Sequence, residues 1–173
     1  MRKTACGFTL IELLVVVAIM AIVGVYTLAN FRSFGEDQNL KNAVLEIQSQ
    51  LRTAQTNATA NVVCNTQYGA TWKVAYINTT TINLNCLESA TSFTKKTLKL
   101  DEKDPNLLIQ SVSGTPPLSC PTALPFTISF DPLTGKIGFG DPRCTSLTIT
   151  LQNSKTGTTK SFTIEQGGRI YGQ

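Results

Sequence analysis

Residues 8–31 form an apolar run in which Glu12 is the only formally charged side chain. At 1.5 Å per residue a helix of that length crosses a hydrocarbon core of about 30 Å, so the run predicts a transmembrane helix. Beyond Arg32 the pattern changes. Leu40, Val44, Ile47, Leu51, Ala54 and Ala58 recur in steps of three and four, which predicts one apolar face of an amphipathic helix over residues 32–60. Gly35, followed by Glu36-Asp37, predicts a bend or loosened turn between the two halves.

From residue 71 the period shortens again. Runs rich in Thr, Ile, Val and Phe at 72–77, 81–86, 107–112, 126–130, 136–139, 147–151 and 161–164 predict short strands. Asp131-Pro132-Leu133-Thr134-Gly135 and Asn153-Ser154-Lys155-Thr156-Gly157 predict hairpin loops between pairs of them. The fold class expected is α+β: a long N-terminal helix packed through its second half on an antiparallel sheet or two-sheet globular domain spanning residues 61–173.

Charge gives the span a direction. Arg2 and Lys3 precede it, and a basic flank holds its side of a membrane segment in the cytoplasm, so the β-rich domain is expected outside. Glu12 is costly at the start of such a segment, because lipid does not solvate a carboxylate. It calls for a partner or a purpose.

The residues Gly7-Phe8-Thr9-Leu10-Ile11-Glu12 resemble the processing site of type IV pilins and pseudopilins. The resemblance implies that residues 1–7 are a leader, removed by a prepilin peptidase between Gly7 and Phe8, and that the new N-terminal Phe8 is N-methylated. An ordinary secretory signal is cut after its apolar core. Here the cut precedes the core, and the apolar helix is kept. The resemblance further implies the pilin fold and a structural role, as a subunit stored in the inner membrane and then built by an assembly platform into a filament with other pilin or pseudopilin subunits. Glu12 is the expected assembly residue, placed to reach the amine at Phe8 of a neighbouring subunit. Residues 26–31 hold no proline, unlike the corresponding stretch of many major pilins, and Leu51-Arg52-x-Ala54-x-x-x-Ala58 with Gly168-Arg169 near the end is similar to the GspH/FimT branch of minor pilins and pseudopilins.

The leader also changes the cysteine arithmetic. Cys6 falls on the removed side, leaving Cys64, Cys86, Cys120 and Cys144, an even set in a domain expected in an oxidising compartment. Of three pairings, Cys64 with Cys86 and Cys120 with Cys144 is favoured, because each closes a short local loop. Loss of Arg2 and Lys3 lowers the net charge from +4 to +2, so there is no global electrostatic case for a nucleic-acid partner.

The chain has no histidine, which removes imidazole acid/base chemistry and the commonest zinc ligand. No nucleophile has a visible base, so neither an enzyme nor a cofactor is expected. Asp101, Glu102 and Asp104 surround Lys103 and provide too few oxygens for a calcium loop; they predict a solvated turn, and no metal site is expected. Asn57-Ala58-Thr59 and Asn78-Thr79-Thr80 match the glycosylation triplet, a pattern frequent by chance in a Thr-rich chain. In DNA-uptake members of the GspH/FimT branch a basic residue follows the terminal Gly-Arg by two positions; here that position is Tyr171. Arg169, with Lys155, Lys160 and Arg143, forms the candidate DNA patch of an alternative reading, a minor pilin that binds DNA or a surface, with Tyr171 stacking on a base.

Overall fold

Helix α1 starts at a hydroxyl. The Oγ1 of Thr9 accepts the Glu12 N–H at 3.3 Å and the Thr9 carbonyl accepts the Leu13 N–H at 3.2 Å, the spacing of an N-cap. This computed structural model describes residues 9–172, without the side chains of residues 26–33. It gives α1 the bounds Leu10–Thr59 and divides the chain into two compact units, Met1–Glu36 and Asp37–Gln173. Gly35 lies inside α1 and does not end it; the division falls just after Glu36.

In the first unit the described apolar side chains stand open. Leu10, Ile11, Ile22 and Val25 are 72–83% exposed, and no described residue of the unit covers them. Among the described residues no helix is long and apolar enough to cross a membrane. The apolar stretch with described side chains runs over residues 10–25, short of the about 20 positions a bilayer core requires. The remainder of the predicted span, residues 26–31, lies outside the described side chains, as do the leader and Phe8.

The second unit is the globular part. Leu40, Ala43, Val44, Ile47, Leu51, Ala54 and Ala58 of α1 are each at most 7% exposed and join a single hydrophobic core with the sheets. Burying each Leu or Ile of this stripe contributes roughly 1.5–3 kcal/mol. After Thr59 the chain turns away: Asn61 takes a left-handed backbone, φ 53°, which its short polar side chain tolerates. The Leu133 N–H donates to the Ala58 carbonyl at 2.9 Å, satisfying one of the last acceptors of the helix.

Nine strands follow: β1 Thr71–Tyr76, β2 Thr81–Glu88, β3 Thr91–Lys99, β4 Leu107–Thr115, β5 Phe126–Phe130, β6 Ile137–Gly138, β7 Ser146–Asn153, β8 Thr159–Glu165 and β9 Ile170–Gly172. They form one sheet of order β3-β2-β1-β5-β6 and another of order β4-β7-β8-β9, with every pairing antiparallel. The fold is thus α+β. Alternation places Ile82, Leu84 and Cys86 of β2, and Leu147, Ile149 and Leu151 of β7, in the core.

The two strands not foreseen are β3 and β9. In β3, Thr-Ser-Phe-Thr-Lys-Lys-Thr-Leu-Lys, only Leu98 is buried, because an edge strand packs little of itself against the core. The expected run at 136–139 contracts to Ile137–Gly138.

Asp104 departs from the solvated turn expected of its neighbourhood. It is 7% exposed. One carboxylate oxygen accepts from the backbone and side-chain nitrogens of Asn106 at 2.9 and 3.0 Å. The other faces the amides of Asn39 and Asn153 at 3.5 and 3.4 Å, so Asp104 joins α1, the loop before β4 and the end of β7. A buried carboxylate needs such donors to offset lost hydration.

Candidate assembly site

The first turn of α1 concentrates the chemistry of the N-terminal unit. Gly7 and Phe8, the predicted cut, lie outside the described residues. Glu12 is exposed, one helical turn in, surrounded by Leu10, Ile11, Leu13 and Leu14, which are 62–83% exposed. Among the described residues no hydrogen bond or ion pair engages its carboxylate; its backbone N–H is held by Thr9. The arrangement offers an anion on an apolar surface that no described residue of its own unit covers. Thr9 was missed at the level of sequence, although Thr9-Leu10-Ile11-Glu12 has the Thr-x-x-Glu spacing of a helix start.

In the globular unit the cysteines pair locally. Sulfur–sulfur bonds join Cys64 to Cys86 and Cys120 to Cys144, at sequence separations of 22 and 24. The first ties the loop after α1 to β2; the second ties the segment before β5 to the segment before β7. Closures of this length each add about 3 kcal/mol in the chain-entropy model.

The basic residues proposed as a patch are not gathered in one place. Lys155 lies in the β7–β8 turn and Lys160 at the start of β8, opposite Leu151. Arg169 lies past the other end of β8, where its carbonyl accepts the Glu165 N–H at 2.9 Å. The five steps along the strand from Lys160 to Glu165 span about 17 Å. Arg143 is paired with Asp141 at 2.8 Å, and the Arg143 guanidinium holds that carboxyl below its ordinary range.

Around Arg169 the contacts are internal. Its guanidinium lies 5.6 Å from the centre of the Tyr171 ring, a cation–π distance. The Tyr171 hydroxyl donates to Glu165 at 3.1 Å, and that bond raises the phenol pKa. Gly168 has φ +94°, and a Cβ there would stand 2.6 Å from the Gln55 amide nitrogen. Gln55 donates to the Gly168 carbonyl at 3.4 Å and Arg52 to that of Ile170 at 3.5 Å. The segment from Gly168 to Tyr171 is therefore docked along α1. Lys160 lines a separate open cavity of about 290 Å³ with Lys41, Val44, Leu45, Gln48 and Gly172. Among the described residues no group of acidic or cysteine side chains is placed to hold a metal ion.

Compared with known families, the chain matches the prokaryotic N-terminal methylation motif over residues 2–27. Neither the curated proteins nor the solved structures compared with the chain give a match. The motif covers the predicted cut, which lies outside the described residues, together with Thr9, Glu12 and the apolar start of α1, whose described side chains are exposed. The chain therefore carries the prokaryotic N-terminal methylation motif, which supports its place among the type IV pilin and pseudopilin chains.

Proposed function

We propose that the chain is a structural subunit of a type IV pilus or a type II secretion pseudopilus. It waits in the inner membrane as a single-pass protein, with the N-terminus cytoplasmic and the β-rich unit outside. Prepilin peptidase cuts between Gly7 and Phe8, and Phe8 is N-methylated. An inner-membrane assembly platform then transfers the subunit into a filament.

The observation that carries this reading is the coincidence of the matched motif with a helix start whose described apolar side chains are exposed around Glu12, a carboxylate that no described residue engages. Apolar helices leave lipid at little cost when they exchange it for one another. Glu12 and the amine created at Phe8 of a neighbour are each costly in hydrocarbon and become a pair on contact. Support for the GspH/FimT branch comes from the sequence alone, in Leu51 to Ala58 and Gly168-Arg169.

Glu12→Ala tests the assembly step. The variant is expected to lose its leader as the wild type does and to enter sheared filaments at a level reduced several-fold. Wild-type yield in the filament fraction would remove Glu12 from assembly.

A further inference from the structure

In the globular unit the open cavity of about 290 Å³ is walled by α1 on one side, through Lys41, Val44, Leu45 and Gln48, and by Lys160 and Gly172 on the other. Gln48 is 8% exposed, and among the described residues no hydrogen bond engages its amide. A buried amide without a partner is uncommon in a native fold and calls for a reason. Gly172 contributes by what it lacks: a Cβ there would stand 2.7 Å from the Gln48 Nε2, in the path of any group approaching the amide. Lys160 is half-buried, on the face of β8 that also carries Phe162 and Ile164, and no described residue pairs with its ammonium. Lys41, the other cation, is held by Asp37 at 3.0 Å. Among the described residues no acidic side chain lines the cavity.

These groups specify a ligand. The Lys160 ammonium calls for an anion. The Gln48 amide both donates and accepts, so a phosphate would leave its oxygen unmet, whereas a carboxylate carried beside a peptide N–H meets ammonium, amide nitrogen and amide oxygen together. Val44 and Leu45, the latter 61% exposed, add an apolar wall for an aliphatic side chain. We propose that this cavity captures the C-terminal residue of another protein chain, one with an aliphatic side chain. Lys160 takes the terminal carboxylate, Gln48 the last peptide group, and Val44 with Leu45 the side chain. The volume lies at the low end for small-molecule pockets and suits the end of a chain. The capture goes beyond filament assembly and does not rest on Glu12.

The test uses the full detergent-solubilised chain and a fluorescein-labelled peptide ending in Gly-Ser-Gly-Val, followed by polarisation. The free-acid peptide is expected to bind, and its C-terminal amide about ten-fold more weakly, the size of one charge-assisted hydrogen bond. Lys160→Gln is expected to give the same loss. Gln48→Met, which keeps the length without the amide, is expected to lose about five-fold, and Lys155→Gln, in the β7–β8 turn, nothing. Urea midpoints check that each variant folds; the acid and amide peptides on the wild type decide the matter even if Gln48→Met does not. No binding of the free-acid peptide, equal binding of acid and amide, or an equal loss in Lys155→Gln overturns the proposal. N-acetylvaline bound as tightly as the peptide would give the cavity to small acylated amino acids and overturn the protein end as its occupant. Gln173 follows Gly172 and lies outside the described residues; a chain that binds the peptide only after removal of Gln173 would give the cavity to its own end and overturn the proposal too.

Discussion

Glu88, at the end of β2, grips the loop that follows α1 through Thr66: its carboxylate accepts both the Thr66 N–H at 3.0 Å and the Thr66 hydroxyl. The Asn65 N–H adds a third bond at 2.9 Å. The Thr66 hydroxyl, followed by the backbone N–H groups, holds the Glu88 pKa down at about 2. The same loop is bonded to β2 by Cys64–Cys86, two positions from Glu88.

A depressed carboxylate stabilises the folded state above its unfolded pKa, and the stabilisation is lost as pH falls through the folded value. For Glu88 the loss falls between the ordinary 4.5 and about 2. Glu88→Gln is expected to lower the urea midpoint of the detergent-solubilised chain at pH 7, with the gap to wild type closing as pH drops through that window. A gap unchanged down to pH 2 would show that the ionised form is not what the loop binds.

Gly114 in β4 backs directly onto the second disulfide. A Cβ at this position would overlap Cys120 and stand 2.8 Å from the Ser146 carbonyl. The obstacle is a cross-linked residue and a strand backbone, neither of which can swing aside as the end of a long side chain does. Gly114→Ala is expected to cost about 1–3 kcal/mol, measured by denaturant unfolding; an unchanged midpoint would mean the two segments separate more easily than the packing indicates.

The helix face makes a sharper contrast. Leu51 is 0% exposed in the core and Leu45 is 61% exposed, on the same helix and with the same side chain. Leu51→Ala is expected to destabilise the globular unit by about 2–5 kcal/mol and Leu45→Ala by less than about 0.5 kcal/mol. Equal losses would place α1 on the sheets by a different face.

These cases show where the sequence is legible and where it is not. The stripe from Leu40 to Ala58 and the strands around Ile82, Ile128 and Ile149 announce themselves because burial imposes a period on apolar residues. Strand β3 does not, since its place at a sheet edge relaxes that demand and admits Lys95 and Lys96. Asp104 reads as a loop carboxylate because its donors, Asn39, Asn106 and Asn153, come from three separate parts of the chain. Lys155, Lys160 and Arg169 sit close in sequence, yet an intervening strand carries them to opposite ends of β8. At the N-terminus the signal is local, so Glu12 stands out in sequence, and the Thr9 cap could have been read there as well.

Under the proposed processing the cut falls before the apolar helix and leaves it in place. Intact-mass and N-terminal peptide analysis of the chain isolated from membranes and filaments tests this most directly. The predicted species begins at N-methylated Phe8 and retains residues 8–173. A chain still beginning at Met1 in the presence of prepilin peptidase, or one cut beyond the apolar run, would contradict it.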